Sequence, residues 1–320
     1  MTETATATCA PRRHAKPKRS LRQRRRLVLN IVLQVFAMVG IGLLVYADAA
    51  NWFAMRNHNS EISGYIDSVA QTPSSERQTI LAAAYEYNDT LKPGSLTDPY
   101  ISQDPDEARR TAVYEAYEKL LRVSGSEAIG TVSYPGLDIA LPIYHGTADA
   151  TISKGAGHMF GTSMPVGGPS THAVMTSHSG LPQAKLFTSL LGAKVGDTFW
   201  ISVLGEDHYY RVQATETVLA TDMVDLEIAE GEDWVTLFTC APIGINSHRF
   251  MVHAERIAAP AVEDGSRILA GDGLEAGFPW WAIWFVGGSA LAGWVLFAPP
   301  RKKKRKKAQA GAGVDDSLPK

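Results

Sequence analysis

The chain has 320 residues, of which 45% are hydrophobic and 20% are charged, and its formal net charge is −2. The charge is unevenly spread: residues 1–26 carry nine Lys/Arg against one acid, residues 301–320 carry eight against two, and the rest carries 14 basic against 30 acidic residues. The excess of acidic residues in the segment between the two tails argues against nucleic acid as a partner. The basic tails are better explained as determinants of membrane topology.

Two uncharged stretches of 21 residues, 27–47 and 278–298, are each long enough to cross a bilayer at about 1.5 Å rise per residue. The basic tails 1–26 and 299–320 flank them and favour the cytoplasmic side. The sequence therefore predicts two transmembrane helices in the plasma membrane, cytoplasmic termini and an extracellular segment 48–277. A cleaved signal peptide is the alternative for the first stretch, although its apolar length exceeds a usual signal core.

Residues 48–127 are predicted to be helical around one irregular segment. A helix covers 76–87, and a second opens at Pro105 with acids in its first turn and continues at helical spacing to Leu121. Between them, residues 92–105 contain three prolines and one glycine, which exclude regular structure. This segment is expected to be a surface loop.

Residues 128–258 change to the pattern of a mainly β domain, with short β-branched and aromatic runs between turns. The runs are 129–134, 137–144, 172–176, 198–204, 209–219, 234–239 and 249–257. Seven or eight strands in this length predict a closed or nearly closed β-barrel. Residues 155–169 are expected to form a connection without a strand, 185–191 one or two helical turns, and 259–277 a linker.

Cys240 is the only Cys between the two apolar stretches, and it ends the strand-like run that begins at Trp234. A lone Cys in an oxidising compartment cannot form an intrachain disulfide, so it is either an inert buried side chain or a reactive group. A thiol becomes a nucleophile when a base or a cation favours its thiolate. Candidate partners are therefore His and Arg side chains.

His178 and Arg249 are the candidate partners, and both lie at predicted strand ends. His178 ends one run and is followed by the turn sequence Ser-Gly-Leu-Pro, which exposes it at a barrel rim. Arg249 begins the strand after Cys240, where antiparallel pairing would bring it near the thiol to stabilise an oxyanion. Pattern alone leaves open an ordinary structural histidine and a solvated strand-end charge.

A metal centre is not predicted. No His/Cys set has the short spacing of a zinc site, and no EF-hand loop is present. No cofactor is expected, although the scattered acidic residues leave calcium binding open.

Several ordered motifs resemble the sortase family, and specifically the class C (pilus-assembly) sortases. Residues 236–240 (Thr-Leu-Phe-Thr-Cys) resemble the TLxTC strand of the family, and 246–249 (Asn-Ser-His-Arg) resemble its NxxR. Residues 155–168 and 176–182 resemble the segments that lead to the family histidine. The similarity spans roughly 60–257 and implies a sortase-like closed β-barrel with N-terminal helices and flanking transmembrane helices.

The resemblance implies a cysteine transpeptidase that acts on LPxTG-like sorting signals. Cys240 would attack the Thr carbonyl to form a thioester, His178 would transfer protons, and Arg249 would hold the oxyanion. Thr239, next to the thiol, and Thr176 are expected as further substrate contacts. The implied partners are LPxTG-bearing pilins or surface proteins, with a pilin Lys as the resolving amine.

Asp98, Pro99 and Tyr100 resemble the aspartate-proline-aromatic lid of pilin sortases, in which the acid meets the catalytic Arg and the ring covers the thiol. A turn cap in a proline-rich loop is the alternative role of Asp98. The second apolar stretch is also similar to class C. The chain departs from the family in having Ser177 and Ser179 around the histidine and Tyr in place of the commoner Trp or Phe.

Three other functions remain open at this point. A housekeeping sortase would anchor surface proteins to a cell-wall amine, and a cysteine peptidase would release the free acid. A membrane-tethered scaffold or binding domain would have no catalytic activity.

Overall fold

The computed structural model describes residues 21–91, 112–220, 226–259 and 276–298. It comprises two units. One is formed by Val45–Ala282, and the other by Met1–Leu44 with Ile283–Lys320.

The described residues form five α-helices, two 3₁₀ helices and eight strands. The α-helices are α1 (Leu21–Gln71), α2 (Ser74–Thr90), α3 (Ala112–Tyr117), α4 (Asp149–Ile152) and α5 (Trp280–Phe297). The strands are β1 (Gly130–Tyr134), β2 (Ile139–His145), β3 (Ala156–His158), β4 (Thr171–Thr176), β5 (Thr198–Val203), β6 (Glu206–Leu219), β7 (Asp233–Ala241) and β8 (His248–Arg256). The 3₁₀ helices are Pro135–Leu137 and Leu186–Gly192.

The eight strands close into a barrel in the order β1-β2-β3-β4-β7-β8-β6-β5, which confirms the predicted barrel. Two neighbouring pairs are parallel, β2 with β3 and β4 with β7, and the other pairs are antiparallel. Closure leaves no unpaired strand edge within the barrel. The parallel pair β4 and β7 decides where the candidate site forms, because their last residues lie at the same end of the barrel.

Alternation along the strands separates the barrel interior from its outer face. Val235 and Leu237 of β7 belong to the main core, together with Val252 of β8. Phe238, the residue after Leu237, points to the other face and packs in a second cluster. Stacked aromatic rings of Tyr134, Phe199 and Tyr210 fill the interior between β1, β5 and β6.

The N-terminal helices are fastened to the barrel by polar contacts that satisfy buried main-chain groups. The hydroxyl of Tyr65 on α1 donates to the carbonyl of Ile129 at 3.1 Å and accepts from the amide of Leu204 at 2.8 Å. The side-chain amide of Asn88 on α2 accepts from the amide of Met164 at 2.7 Å and donates to its carbonyl at 3.2 Å.

Two local predictions were wrong. Residues 155–169 contain strand β3, which has only three residues and no alternating pattern, and which forms because it pairs with both β2 and β4. The helix predicted to reach Leu121 ends as an α-helix at Tyr117, and Leu121 adopts a positive φ of 54° that no α-helix continues through.

Two helices in the structure are long and apolar enough to cross a membrane, Leu21–Gln71 and Trp280–Phe297. In the most apolar 18-residue stretch of each helix, no residue is buried against the rest of the chain. In the unit that holds most of both apolar stretches, the amide of Gln34 donates to the carbonyl of Ser289 at 2.9 Å. Large exposed apolar side chains such as Leu44 and Trp284 are what a lipid environment accommodates.

Candidate active site

Strands β7 and β8 place Cys240 and Arg249 opposite each other. They are direct partners in the antiparallel register, so both side chains leave the same face with about 5 Å between their Cβ atoms. Arg249 is buried, and its Nη1 donates to the carbonyls of Asn246 and His248, both at 3.1 Å. Cys240 is half-buried. The guanidinium is therefore held in one orientation beside the thiol.

His178 follows β4 by two residues and lies beside the end of β7. Thr176 pairs with Phe238 in the parallel register, so extending that register by two residues brings His178 level with Cys240. Three side-chain hydrogen bonds to carbonyls join these strand ends: Thr176 to Phe238 at 2.9 Å, Thr239 to Ser177 at 2.8 Å and Ser179 to Cys240 at 2.6 Å. The paired strands thus bring the main chain of the His178 segment alongside that of Cys240, although 61 residues separate Ser179 from Cys240 along the chain.

The two threonines expected as substrate contacts serve as internal braces in this structure. Thr176 is 1% exposed and Thr239 is 0% exposed, and each donates its hydroxyl proton to a carbonyl of the neighbouring strand. Their direct contact with a substrate stays a prediction.

His178 has a carboxylate partner that the sequence analysis missed. Its Nε2 lies 3.0 Å from Oδ1 of Asp149, the first residue of α4. The imidazole side chain is 21% exposed and the carboxylate 89% exposed. The 29 residues between them carry no spacing signal, so only the fold reveals this pair.

The two serines that depart from the family pattern both make specific contacts. Ser177 is buried and its hydroxyl lies 2.6 Å from the carbonyl of Gly155 and 3.0 Å from that of Ile152. Ser179 binds the carbonyl of Cys240. Each serine therefore ties the histidine segment to a different neighbour.

Most other histidines of the barrel are excluded as catalytic groups by their burial. The buried ones are His145, His158, His172, His208 and His253. Burial lowers the pKa of His145 to about 3 and the pKa of both His158 and His208 to about 4. Of the remaining pair in the described barrel, His248 is partnered with Ala241 and leaves the sheet on the opposite face from Arg249. His178 is the remaining candidate among the described barrel histidines.

An apolar patch borders the site on the outer face of the barrel. It consists of Met159, Val174, Val218, Leu226, Phe238 and Met251. Phe238 precedes Cys240 by two residues and Met251 follows Arg249 by two, so each lies on the same face as the site and about 7 Å along its strand. All of these residues except Val218 are 3% exposed or less, so the apolar patch is a buried cluster beside the site.

A chain of buried polar side chains lies beyond the apolar patch. His172 donates from Nδ1 to the carbonyl of Glu227 at 2.9 Å, and its Nε2 lies 2.8 Å from the hydroxyl of Thr236. That hydroxyl also lies 2.9 Å from His253, whose Nε2 is 3.0 Å from Glu216. Burial lowers the pKa of His172. This chain fastens the β6–β7 connection to the barrel at Glu227.

Asp98, Pro99 and Tyr100 lie outside the described residues, so the lid stays a prediction. Within the described part of the chain, no group of three His, Cys, Asp or Glu side chains could hold a metal ion.

Comparison with known proteins identifies the family. The sortase domain model matches residues 132–257. Sortase C-1 from Actinomyces oris is 39% identical with a TM-score of 0.53, the match covering 57% of this chain and 99% of that one. Sortase C1 of Streptococcus agalactiae is 39% identical with a TM-score of 0.55, covering 63% and 98%.

Among curated proteins, sortase A of Bacillus anthracis is 24% identical over 135 residues, or 42% of this chain. The chain spans 62% of the length of that relative. The two solved structures are matched over almost their whole length, and both are class C enzymes by name. The chain therefore belongs to the sortase family, and its solved relatives support its assignment to class C.

Proposed function

We propose that the chain is a membrane-anchored cysteine transpeptidase that cleaves LPxTG-like sorting signals between Thr and Gly and joins the Thr to a Lys amine of a pilin. The observation that carries the proposal is the strand register, which pairs Cys240 with Arg249 and extends to His178. A nucleophile, a proton carrier and an oxyanion donor at one strand end are the set that acyl transfer needs.

The first half of the reaction forms a thioester. The Cys240 thiolate attacks the carbonyl carbon of Thr in the sorting signal, and the Thr–Gly C–N bond breaks as the tetrahedral intermediate collapses. The buried guanidinium of Arg249 donates to the oxyanion of that intermediate. Protonated His178 gives its proton to the departing glycine nitrogen.

The second half resolves the thioester. A Lys side-chain amine of the next pilin attacks the same carbonyl carbon, His178 accepts the proton that the amine loses, and Cys240 leaves as the thiolate. The product is an isopeptide bond between Thr and Lys, and the thiolate and imidazolium are regenerated together. No cofactor or external oxidant enters the balance.

Two features favour pilin polymerisation over wall anchoring. Structures named as pilus-related sortases are among the matches. One of them, from group B Streptococcus, is 38% identical to this chain, and the match covers 96% of its length. The segment Asp98, Pro99 and Tyr100 also has the order of a pilin-sortase lid. We propose that the acid engages Arg249 and that the ring covers Cys240 until a pilin arrives.

We propose that the barrel works outside the cell. The apolar stretches 27–47 and 278–298 would span the plasma membrane, with the basic segments 1–26 and 299–320 in the cytoplasm. With this topology, residues 48–277 would lie on the side where surface pilins are assembled.

The test is incubation of the detergent-solubilised full chain with a purified pilin that carries an LPxTG-like signal. We expect a ladder of covalent multimers, with an isopeptide bond between Thr and Lys located by mass spectrometry. Cys240→Ala abolishes both the ladder and the thioester intermediate. Cys9→Ala, which removes the other Cys of the chain, is the matched control and retains them.

Each alternative gives a different product. A single adduct with a cell-wall peptide amine, without multimers, would identify a housekeeping sortase. A free acid formed in the presence of amine would identify a peptidase. Absence of a trapped thioester on the wild-type chain would leave a tethered binding domain.

A further inference from the structure

We propose that Asp149 is a positioning residue for His178, which it holds in one ring orientation and one tautomer next to Cys240. The inference rests on the proposed transpeptidase function and adds a fourth residue to the site. It comes from the β2–β3 connection, which contributes none of the three predicted site residues.

The contact itself is direct. Oδ1 of Asp149 lies 3.0 Å from Nε2 of His178, within ordinary hydrogen-bond distance. A carboxylate can only accept, so Nε2 carries the hydrogen of this bond. No other hydrogen bond of the His178 ring is found among the described residues. Nδ1 is therefore the ring atom left to exchange a proton with the thiol or the amine.

Helix α4 is held firmly enough to place the carboxylate. Ile152, at its end, is 0% exposed and anchors it to the barrel. The hydroxyl of Ser177 lies 3.0 Å from the Ile152 carbonyl and 2.6 Å from that of Gly155. Because Ser177 immediately precedes His178, the same residue fixes the main chain of the histidine and the support of its carboxylate partner.

This arrangement serves both halves of the proposed reaction. A carboxylate on Nε2 fixes the ring orientation, so that Nδ1 stays directed toward the partner of the proton transfer. It also prevents the ring from turning its protonated nitrogen away when His178 gives up or regains a proton. An orienting group behind a general base is the recurring arrangement in nucleophilic catalysis.

The size of the effect is limited by exposure. Asp149 is 89% exposed, and ion pairs with so much water access contribute at most a few-fold in equilibrium terms. We therefore expect a two- to fivefold effect, well below that of losing a reacting group. Such an effect is measurable when the same variants are compared in two backgrounds.

The experiment is a double-mutant cycle read by alkylation of Cys240 with iodoacetamide in the detergent-solubilised full chain at pH 7, in a Cys9→Ala background. Asp149→Asn is expected to slow labelling two- to fivefold, and Asp149→Ala to repeat the result. In a His178→Ala background, Asp149→Asn is expected to change nothing further. Peptide turnover should show a lower kcat with unchanged KM, because a positioning residue acts through His178 and not on the bound peptide.

The matched control is Glu127→Gln. The Glu127 side chain is also exposed, at 74%, and pairs at 3.5 Å with Lys154, which lies near α4. The Glu127→Gln substitution therefore removes the same charge as Asp149→Asn without a contact to His178. Equal slowing by Glu127→Gln would show a general charge effect and overturn the proposal. The proposal would also be overturned if Asp149→Asn left labelling unchanged when His178 is present, or if it slowed labelling equally in the His178→Ala background. Labelling needs no pilin, so these outcomes are independent of whether multimers form.

Discussion

Buried His158 should make the stability of the barrel depend on acid in a way that can be isolated. Its Nε2 donates to the carbonyl of Ser163 at 2.8 Å, and its Nδ1 lies 2.9 Å from the hydroxyl of Tyr117, which lies equally close to the carbonyl of His158. Burial lowers its pKa from 6.5 to about 4. A second proton would put a charge on a ring that is 0% exposed and has no water to solvate it.

The sign follows from the lowered pKa. In the unfolded chain His158 binds a proton below about pH 6.5, whereas in the folded chain it does so only below about pH 4. The contribution of His158 to stability is therefore fully present above pH 6.5 and is lost as the pH falls from 6.5 to 4. The slope is about 1.4 kcal/mol per pH unit. Between pH 7 and pH 5 this histidine alone should lower the free energy of unfolding by about 2 kcal/mol.

The assay is urea unfolding of the detergent-solubilised chain at pH 7, 6 and 5, followed by near-ultraviolet circular dichroism. Wild type should lose about 2 kcal/mol more than His158→Gln over this range. Tyr117→Phe is the control: it removes the hydroxyl contact and lowers stability at every pH, but it keeps the imidazole and therefore the slope. Equal losses in wild type and His158→Gln would refute the reasoning.

Two predictions concern the site itself. Arg249→Lys keeps the charge but loses the fixed planar donor, so kcat on a fluorogenic LPxTG peptide should fall about 100-fold while Cys240 still labels; near wild-type turnover would contradict the oxyanion role. Ser179→Ala removes the 2.6 Å hydrogen bond to the Cys240 carbonyl, so thermal denaturation should show a Tm lower by about 2–4 °C, and kcat should fall as the His178 segment loosens. A lower Tm with unchanged kcat would show that this bond does not position the histidine.

The long strands could be predicted because each has an alternating or β-branched pattern of its own. The run 234–239 became β7 (Asp233–Ala241) and the run 249–257 became β8 (His248–Arg256), each within two residues of its expected bounds. Strand β3 could not be predicted, since Ala-Gly-His has no periodic signal and its order comes from neighbours on both sides. Local pattern finds elements that carry their own hydrophobic alternation and misses those formed by pairing.

The candidate site divides in the same way. The antiparallel approach of Cys240 and Arg249 was expected from a short connection between successive strands. The approach of His178 depends on the parallel pairing of β4 with β7, and only the family resemblance indicated it. Neither the local sequence pattern nor the family resemblance indicated Asp149, because its contact with His178 depends on where a four-residue helix docks.

Because β4 pairs directly with β7, the spacing between the Cys240 and His178 segments does not depend on the chain that connects these two strands. The segment between them includes β5 and β6, yet none of its described residues lies between β4 and β7 in the sheet. Insertions or deletions there can reshape the approach to the site and leave the reacting pair undisturbed. A change in the length of a loop in that segment is therefore expected to leave the register of β4 against β7 unchanged.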